Sequence, residues 1–482
     1  MTGGIRFVMG GEVVTVAHGD PIETVLQWLR ATGRVGTKEG CAEGDCGACT
    51  VVIGEADGDA IRYRAVNACI QFLPTLDGKQ LITVEDLKGP DGALHPAQRA
   101  MVDCHASQCG FCTPGFVMSL FALYRSSELP DRAGLCDTLA GNLCRCTGYQ
   151  PILEAAERMY DGGRADRFAA AEPKTAALLR SIRRGGTLSV EGAGTRFFAP
   201  RDLAALARLA AEYPDAWLLA GGTDIGLWVT KQHRRPKTVI YLGEVAELKR
   251  VAEADGVLEI GAGAPYTEVL PMVAGHYPGF GRLIHRLGSV QIRNAGTLGG
   301  NVANGSPIGD GMPALIAFGA EIVLQKGGST RALALEDFYL GYRETALAPG
   351  EFVRAVRLDL PRPGARYATW KVSKRFDQDI SAVAAGFALD LDGGRVAGFR
   401  AAYGGMAAIP KRATHLEQAL TGQPWTLEAV TAALPALDRD FQLLTDMRAS
   451  GAYRARIARN LVLRFYLQST GQAGAEGVAA HG

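Results

Sequence analysis

The sequence predicts a multidomain α+β chain, and three observations carry that reading. Its 482 residues exceed what one hydrophobic core covers and suggest about three or four domains. Eight of its ten cysteines fall into two groups of different spacing: Cys41, Cys46, Cys49 and Cys69, then Cys109, Cys112, Cys144 and Cys146. From Gly192 onward, helical and strand patterns alternate around two glycine-rich stretches, 217–224 and 293–310, before strands and then helices close the chain.

Charge excludes some classes of function. Lys and Arg total 51 against 50 Asp and Glu, a net charge of +1. No basic run stands out, so the electrostatic footprint of a nucleic-acid or anionic-membrane binder is missing. Small molecules or other proteins are the expected partners. Residues 1–7 turn polar before the apolar core of a signal peptide forms. The longest uncharged run, 104–124, contains His, Ser, Gln, Thr, Pro and three cysteines, and reads as a buried segment and not a membrane span. A cytoplasmic protein is therefore expected, and ten cysteines kept reduced point to metal binding over disulfides.

Residues 5–16 hold two short apolar runs around Gly10 and Gly11, the pattern of a β-hairpin. A helix follows, with Asp20 as N-cap, Pro21 in the first turn, and Ile22, Val25, Leu26 and Leu29 along one face until Gly33. Residues 40–49 then read G-C-A-E-G-D-C-G-A-C. Cys41, Cys46 and Cys49 give C-x4-C-x2-C, and Cys69 adds a fourth thiol after nineteen intervening residues, the spacing of a plant-type [2Fe-2S] site. Three thiolates can wrap one face of a small cluster only if the backbone curls tightly. Gly40, Gly44 and Gly47 are expected to supply the positive φ angles of that curl. Structural zinc prefers paired C-x2-C knuckles, and disulfides conflict with the compartment. Strands at 50–53 and near 81–85 complete the region.

The second cysteine group has a different setting. Q-C-G-F-C-T-P-G over 108–115 leads into the apolar run 116–124, and N-L-C-R-C-T-G-Y over 142–149 leads through Pro151 into 152–160. Each pair precedes a helix start, with Pro114 and Pro151 near first-turn positions. Two helix N-termini converging on one site favour the anionic thiolates and sulfides of a second cluster. Four thiolates also suit zinc, but the iron–sulfur spacing upstream favours a second [2Fe-2S] site. Cys104 and Cys136 stand outside both groups and read as small buried residues.

Residues 163–190, rich in Ala, Arg, Gly and Lys, read as a linker with one short helix over 176–182. A helical pattern at 204–209 follows Asp202. Trp217, Leu218, Leu219, Ala220, Gly221, Gly222, Thr223 and Asp224 read as a strand running into a glycine turn, which lets backbone N–H groups approach a phosphate. Residues 293–310 form a second loop rich in Gly, Asn and Ser. Either loop alone could be a turn, whereas two in one domain are what a bound diphosphate requires. G-A-G-A-P-Y over 261–266 lacks the third glycine of a dinucleotide fingerprint and holds Pro265 inside it. After Arg366 come strands over 367–372, 382–389 and 396–403, then helices over 413–420, 427–434 and 453–466. The tail from Ser469 has little to bury, and disorder is expected there.

A C-x4-C-x2-C site followed by C-G-F-C and C-R-C resembles the iron–sulfur portion of the molybdenum hydroxylases, the xanthine dehydrogenase and aldehyde oxidase family. The pair A-G-G-T-D and T-L-G-G-N…S-P-I-G-D looks like the FAD domain of that family, related to the vanillyl-alcohol-oxidase type of flavin fold. The region after 366, including D-M-R-A-S over 446–450, resembles its C-terminal flavoprotein part. The resemblance implies a β-grasp ferredoxin domain over 1–88 and a four-helix [2Fe-2S] domain over 89–162. Beyond the linker it implies a vanillyl-alcohol-oxidase-like FAD domain over 191–365, a C-terminal α+β flavoprotein domain over 366–470, and a disordered tail over 471–482.

The resemblance also implies roles. The eight grouped cysteines would ligate two [2Fe-2S] clusters, and residues 217–224 would line the FAD diphosphate and ribityl chain. Leu287 would pack near the flavin or adenine. Thr297, Gly300, Asn301 and Asp310 would hydrogen-bond the cofactor, and Lys371 would lie by the isoalloxazine. The loop holding Lys374, Arg375 and Asp377 would border the flavin face used by NAD+, or be a solvated turn. No segment remains for molybdopterin, so the chain is similar to the small subunit of the xanthine dehydrogenase branch, with a separate molybdopterin-binding large subunit and two such heterodimers paired. Oxidation of xanthine or hypoxanthine to urate would occur on that partner, with no catalytic residue in this chain. Electrons would pass from molybdenum to the helical-domain cluster, then to the plant-type cluster, FAD and NAD+.

Two alternatives differ in function. One is the same role in an aldehyde or N-heterocycle hydroxylase. Carbon monoxide dehydrogenases usually carry the iron–sulfur and FAD parts on separate chains, so the fused order favours the xanthine dehydrogenase branch. The other is a free-standing iron–sulfur flavoprotein reductase. Exposed apolar surface around Phe111 and Phe116, needed to dock a partner, would separate it from a true subunit.

Overall fold

The computed structural model describes residues 4–17, 19–126 and 128–472, arranged as two compact units. The first unit is built from residues up to 209 with 215–246 and 288–296; the second takes 210–214, 247–287 and the chain from 297 onward. The multidomain α+β reading holds throughout.

The first unit opens with a five-stranded sheet in the order Glu12–Val16, Ile5–Met9, Gln80–Ile82, Thr50–Asp57, Ala60–Asn67. Ile5–Met9 is antiparallel to its hairpin partner and parallel to Gln80–Ile82. Thr50–Asp57 is covered on both faces. Val51 and Ile53 share a core with Val25, Leu26 and Leu29 of the helix Val25–Ala31. Val52 joins Phe116, Leu120 and Phe121 of the helix Thr113–Ser126. A strand buried on both sides carries no polar alternation, which explains the run T-V-V-I. The first helix starts later than Asp20 and Pro21 suggest. Thr24 is its N-cap, in a reciprocal capping box with Gln27, while the Asp20 carboxylate accepts from Ile22 N–H at 3.2 Å and pairs with Arg235.

Four helices follow: Pro96–Asp103, Thr113–Ser126, Arg132–Leu139 and Gln150–Arg158. Cys104 is buried in their core, and Cys136 is half-buried against it. His95 caps the first of them through Nδ1, which accepts from Ala97 N–H at 3.1 Å, and its Nε2 lies 2.9 Å from Asp166. The stretch 163–190 is more than a linker. Arg167–Ile182 is a helix of 16 residues, capped by Asp166, and Phe168, Ala176, Leu179 and Ile182 bury one face in the same core. Its alanines are helix formers supporting an apolar stripe, a pattern that composition alone hides.

The first unit closes with a sheet ordered Leu188–Gly192, Thr195–Ala199, Thr238–Tyr241, Trp217–Leu219. The last three strands are parallel, so the glycine turn leaves the carboxyl end of Trp217–Leu219, where open α/β sheets bind ligands.

The second unit contains an antiparallel sheet ordered Val251–Ala254, Val257–Gly261, Phe352–Asp359, Glu321–Lys326, Ser329–Ala334. The helices Tyr266–His276, Pro278–His285, Leu298–Asn304 and Gly311–Ala317 contribute to its core. An antiparallel four-stranded sheet follows: Arg366–Val372, Val383–Asp392, Arg395–Gly404 and Lys411–Arg412. The helices Thr414–Leu420, Leu427–Ala433 and Gly451–Ser469 share its core, where Phe387 and Phe465 stack at 5.4 Å. Ser469 belongs to the last helix, and its hydroxyl accepts Trp425 Nε1–H at 2.9 Å, so the expected tail does not begin there. Residues 473–482 of that tail lie outside the described residues. No described helix is long and apolar enough to cross a membrane.

Candidate functional site

The first cysteine loop wraps as its glycines suggest, with one correction. Gly44 and Gly47 have φ of 79° and 68°, but the other left-handed residue of the curl is Ala42, at 55°, and Gly40 is not among the positive-φ residues. Gly40 is needed for room: a Cβ there would stand 2.7 Å from Cys46 Sγ. The backbone N–H groups of Asp45 and Cys46 point at Cys41 Sγ, at 3.4 and 3.3 Å. The four thiols form one connected group, Cys41 bonding to Cys46 and Cys69, and Cys69 to Cys49. Hydrogen bonds from Cys46 and Cys69 hold the Cys41 thiol far below the ordinary range, while those to Cys41 and Cys49 push Cys69 far above it. Thiolates gathered on one loop repel one another, which favours a cationic centre among them. The donor set and the inward N–H groups fit an iron–sulfur cluster.

The second group is assembled at helix N-termini, as expected. Cys109 and Cys112 precede Thr113–Ser126, and Cys144 and Cys146 precede Gln150–Arg158. Cys109 pairs with Cys146, and Cys112 with Cys144. Burial pushes the Cys112 thiol up to about 12. Cys144 N–H donates to the Tyr149 hydroxyl oxygen at 2.9 Å, and Thr147 Oγ1 lies 3.2 Å from Cys144 Sγ. Tyr149 itself is left-handed, at φ 69°. The two loops touch. Leu143 N–H donates to Cys46 O at 3.0 Å, so a cysteine of the first group and the neighbour of a cysteine of the second share one hydrogen bond.

The first glycine stretch lies in the same unit. A Cβ on Gly221 would overlap the Ala295 carbonyl oxygen. Gly222 has φ 77°, and its Cβ would come within 3.0 Å of Ile70 O, the residue after Cys69. Gly226 packs on Ile70 as well. The backbone of 221–222 is a glycine cradle seated on the Ala295 and Ile70 carbonyls, where a Cβ would not fit.

The other residues implied for FAD belong to the second unit. Thr297 caps Leu298–Asn304, its Oγ1 accepting from Gly300 N–H at 2.9 Å. Asn301 Oδ1 accepts from Tyr266 Oη at 3.0 Å. Asp310 and Lys371 are buried and paired: Lys371 Nζ donates to Asp310 Oδ2 at 2.6 Å, and Ser381 Oγ donates to Oδ1 at 2.5 Å. Both carboxylate oxygens of Asp310 thus already accept a protein hydrogen bond. Leu287 is half-buried against the core. The charged loop after Lys371 is tied by Arg286, which donates to Lys371 O, Ser373 Oγ and Phe376 O at 3.0 to 3.2 Å and lies 4.2 Å from the Phe376 ring.

Gln291 escaped the sequence reading, and Arg293 and Asn294, read there as the start of a loop, belong to a helix. Gln291, Arg293 and Asn294 sit on the short helix Val290–Ala295 and are buried. Arg293 forks onto both oxygens of Asp137 at 2.7 Å, and Asn294 Nδ2 donates to Ala65 O at 3.0 Å. Phe116 also differs from expectation. It is fully buried, while Phe111, Leu143 and Tyr149 are 49%, 42% and 38% exposed.

Comparison with known proteins matches this arrangement segment by segment. Residues 10–73 match the 2Fe-2S iron-sulfur cluster binding domain and 83–157 the [2Fe-2S] binding domain. Residues 192–362 match the FAD binding domain in molybdopterin dehydrogenase and 368–469 the CO dehydrogenase flavoprotein C-terminal domain. The chain is 31% identical to the xanthine dehydrogenase of Emericella nidulans over 96% of its own length and 38% of the relative's. It is 31% identical to xanthine dehydrogenase 1 of Arabidopsis thaliana over 92% and 38%. It therefore spans about two fifths of the length of these curated relatives. Among solved structures, a carbon monoxide dehydrogenase chain from Hydrogenophaga pseudoflava is 26% identical, with a TM-score of 0.54 over 58% of this chain and 98% of the other. Reconstituted CO dehydrogenase from Oligotropha carboxidovorans is 25% identical, with a TM-score of 0.55 over 59% and 100%. With two iron–sulfur domains, a FAD domain and this C-terminal domain matched in one order, the chain carries the iron–sulfur and flavin domains of a molybdenum hydroxylase-type protein.

Proposed function

We propose that this chain is the electron-transfer subunit of a cytoplasmic xanthine dehydrogenase that uses NAD+. Cys41, Cys46, Cys49 and Cys69 hold the plant-type cluster; Cys109, Cys112, Cys144 and Cys146 hold the other. Each cluster carries one electron at a time, whereas FAD holds two and can pass them on as a hydride. The observation that carries the reading is a continuous connection inside the first unit. Leu143 N–H meets Cys46 O, and Ile70, next to Cys69, packs on Gly222 and Gly226. These contacts support an order from second cysteine group to first cysteine group to glycine cradle.

In this reading residues 217–224 of the first unit are FAD-binding residues, and so are Leu287, Thr297, Gly300, Asn301, Asp310 and Lys371 of the second. The Lys371–Asp310 pair keeps a fixed cation in a dry place, suited to a flavin ring that gains negative charge. The loop held by Arg286 is the proposed nicotinamide border. The molybdopterin-bearing subunit docks on Phe111, Leu143 and Tyr149, beside the exposed Cys109 and Cys146, and two heterodimers pair. Support for xanthine as substrate comes from identity to xanthine dehydrogenases along nearly the whole chain.

The test is purification from the native host. A larger molybdenum-containing partner and urate formation from xanthine are expected, and NADH should bleach the flavin of the isolated chain. An aldehyde or heterocycle turned over in place of xanthine would move the protein to another branch. Reoxidation by oxygen or quinone alone would remove NAD+.

A further inference from the structure

We infer that Gln291 is a positioning residue for electron transfer between the two cysteine groups, an inference that rests on the ligand sets proposed above. Gln291 is 1% exposed and stands on a helix that falls within the FAD-domain match, yet it reaches the seam between the two cysteine loops. Its Nε2 lies 3.3 Å from Thr50 Oγ1, 3.1 Å from Ser119 Oγ and 3.1 Å from Asn142 Oδ1. All three are acceptors there. Thr50 donates its proton to Gly47 O at 2.7 Å, and Ser119 donates its own to Asn142 Oδ1 at 2.6 Å. The carboxamide nitrogen must therefore face them, and its two hydrogens serve the three in turn. Gly141 has no Cβ because one would overlap Gln291 Oε1, an oxygen buried without a partner. A side chain that accepts such a cost is held for what its nitrogen does.

Asn142 is the piece so fixed. Its Nδ2 donates to Gly47 O at 3.0 Å and to Thr50 Oγ1 at 3.2 Å. Gly47 follows Cys46, and Asn142 precedes Leu143. Gln291 thus locks the two peptides whose Leu143 N–H···O Cys46 bond joins the loops. The step it supports moves one electron from the second centre to the first, with no proton and no bond made or broken; a chemical reductant supplies that electron in the test.

The full chain, with iron and flavin loaded, is compared with Gln291→Leu and Ser119→Ala. Iron content and both [2Fe-2S] resonances should persist in each. In Gln291→Leu the rate at which an electron from substoichiometric dithionite redistributes between the two signals, followed by rapid-freeze paramagnetic resonance, should fall about tenfold or more. The spin–spin splitting of the fully reduced protein should change with it. Ser119→Ala, which removes one acceptor of Gln291 and one donor to Asn142 while the other Gln291 bonds remain, should shift both in the same direction by less. Wild-type rates and splitting in both variants would overturn the role of Gln291. Failure of the wild-type protein to show two distinct resonances would instead overturn the ligand reading beneath it.

Discussion

The two cysteine groups have the same chemistry in opposite surroundings. In the first, Cys49 and Cys69 are 2% exposed, enclosed by a sheet covered on both faces and by Ile70 against the glycine cradle. In the second, Cys109 and Cys146 are exposed, at helix starts ringed by Phe111, Leu143 and Tyr149. In the proposed relay this difference supplies a direction: the group with two buried cysteines would exchange electrons within its own chain, and the group with two exposed ones would exchange them with another molecule.

The largest expected effect comes from the glycines that shape each loop. Gly47→Ala places a Cβ onto Gly141 O at a left-handed φ, whereas Gly148, at φ 71°, has open space around it. Gly148→Ala should cost about 1–2 kcal/mol, the left-handed penalty alone. Gly47→Ala should cost more than about 3 kcal/mol and remove the plant-type signal. Equal melting temperatures would break the contrast.

Chelation ranks second. Iron should leave the exposed group first, with the helical-domain resonance fading before the plant-type one; the reverse order would mean that exposure does not govern loss.

Acid sharpens the comparison further. Burial raises the Asp166 carboxyl pKa, but hydrogen bonds from His95 and Ala169 N–H outweigh it and hold it below the usual range. A depressed carboxylate contributes stability above its unfolded pKa of about 3.9 and loses it as pH falls through the folded value. The melting temperature of the wild-type chain should therefore drop below about pH 4 more steeply than that of Asp166→Asn. Parallel profiles would remove Asp166 from the account. The smallest effect on stability is expected for Phe111→Ala, within about 0.5 kcal/mol. Binding of the proposed molybdenum-bearing partner should nevertheless weaken about tenfold or more, as measured by co-purification titration.

Much of this was legible in sequence where local chemistry decides. The cysteine spacings, the helix starts at Pro114 and Pro151, and the glycine turn after Trp217–Leu219 each follow from residues a few positions apart. Other features depended on distant partners. Asp20 looks as good a cap as Thr24 until Arg235 takes its carboxylate. Phe116 looks like a docking residue until Val52 of the sheet is packed in its core. Gly40 reads as a turn glycine, yet it is there because Cys46 Sγ needs the space.

The sequence by itself determined which chemistry the chain holds, because ligand type and loop curvature are set by short stretches of residues. Only the tertiary structure decided how the centres connect. The bonds from Gln291 to Thr50 and Asn142 span 241 and 149 residues, and no periodicity or motif carries information across such a separation. Close packing brings those groups together, and the need to satisfy buried polar atoms then selects their partners.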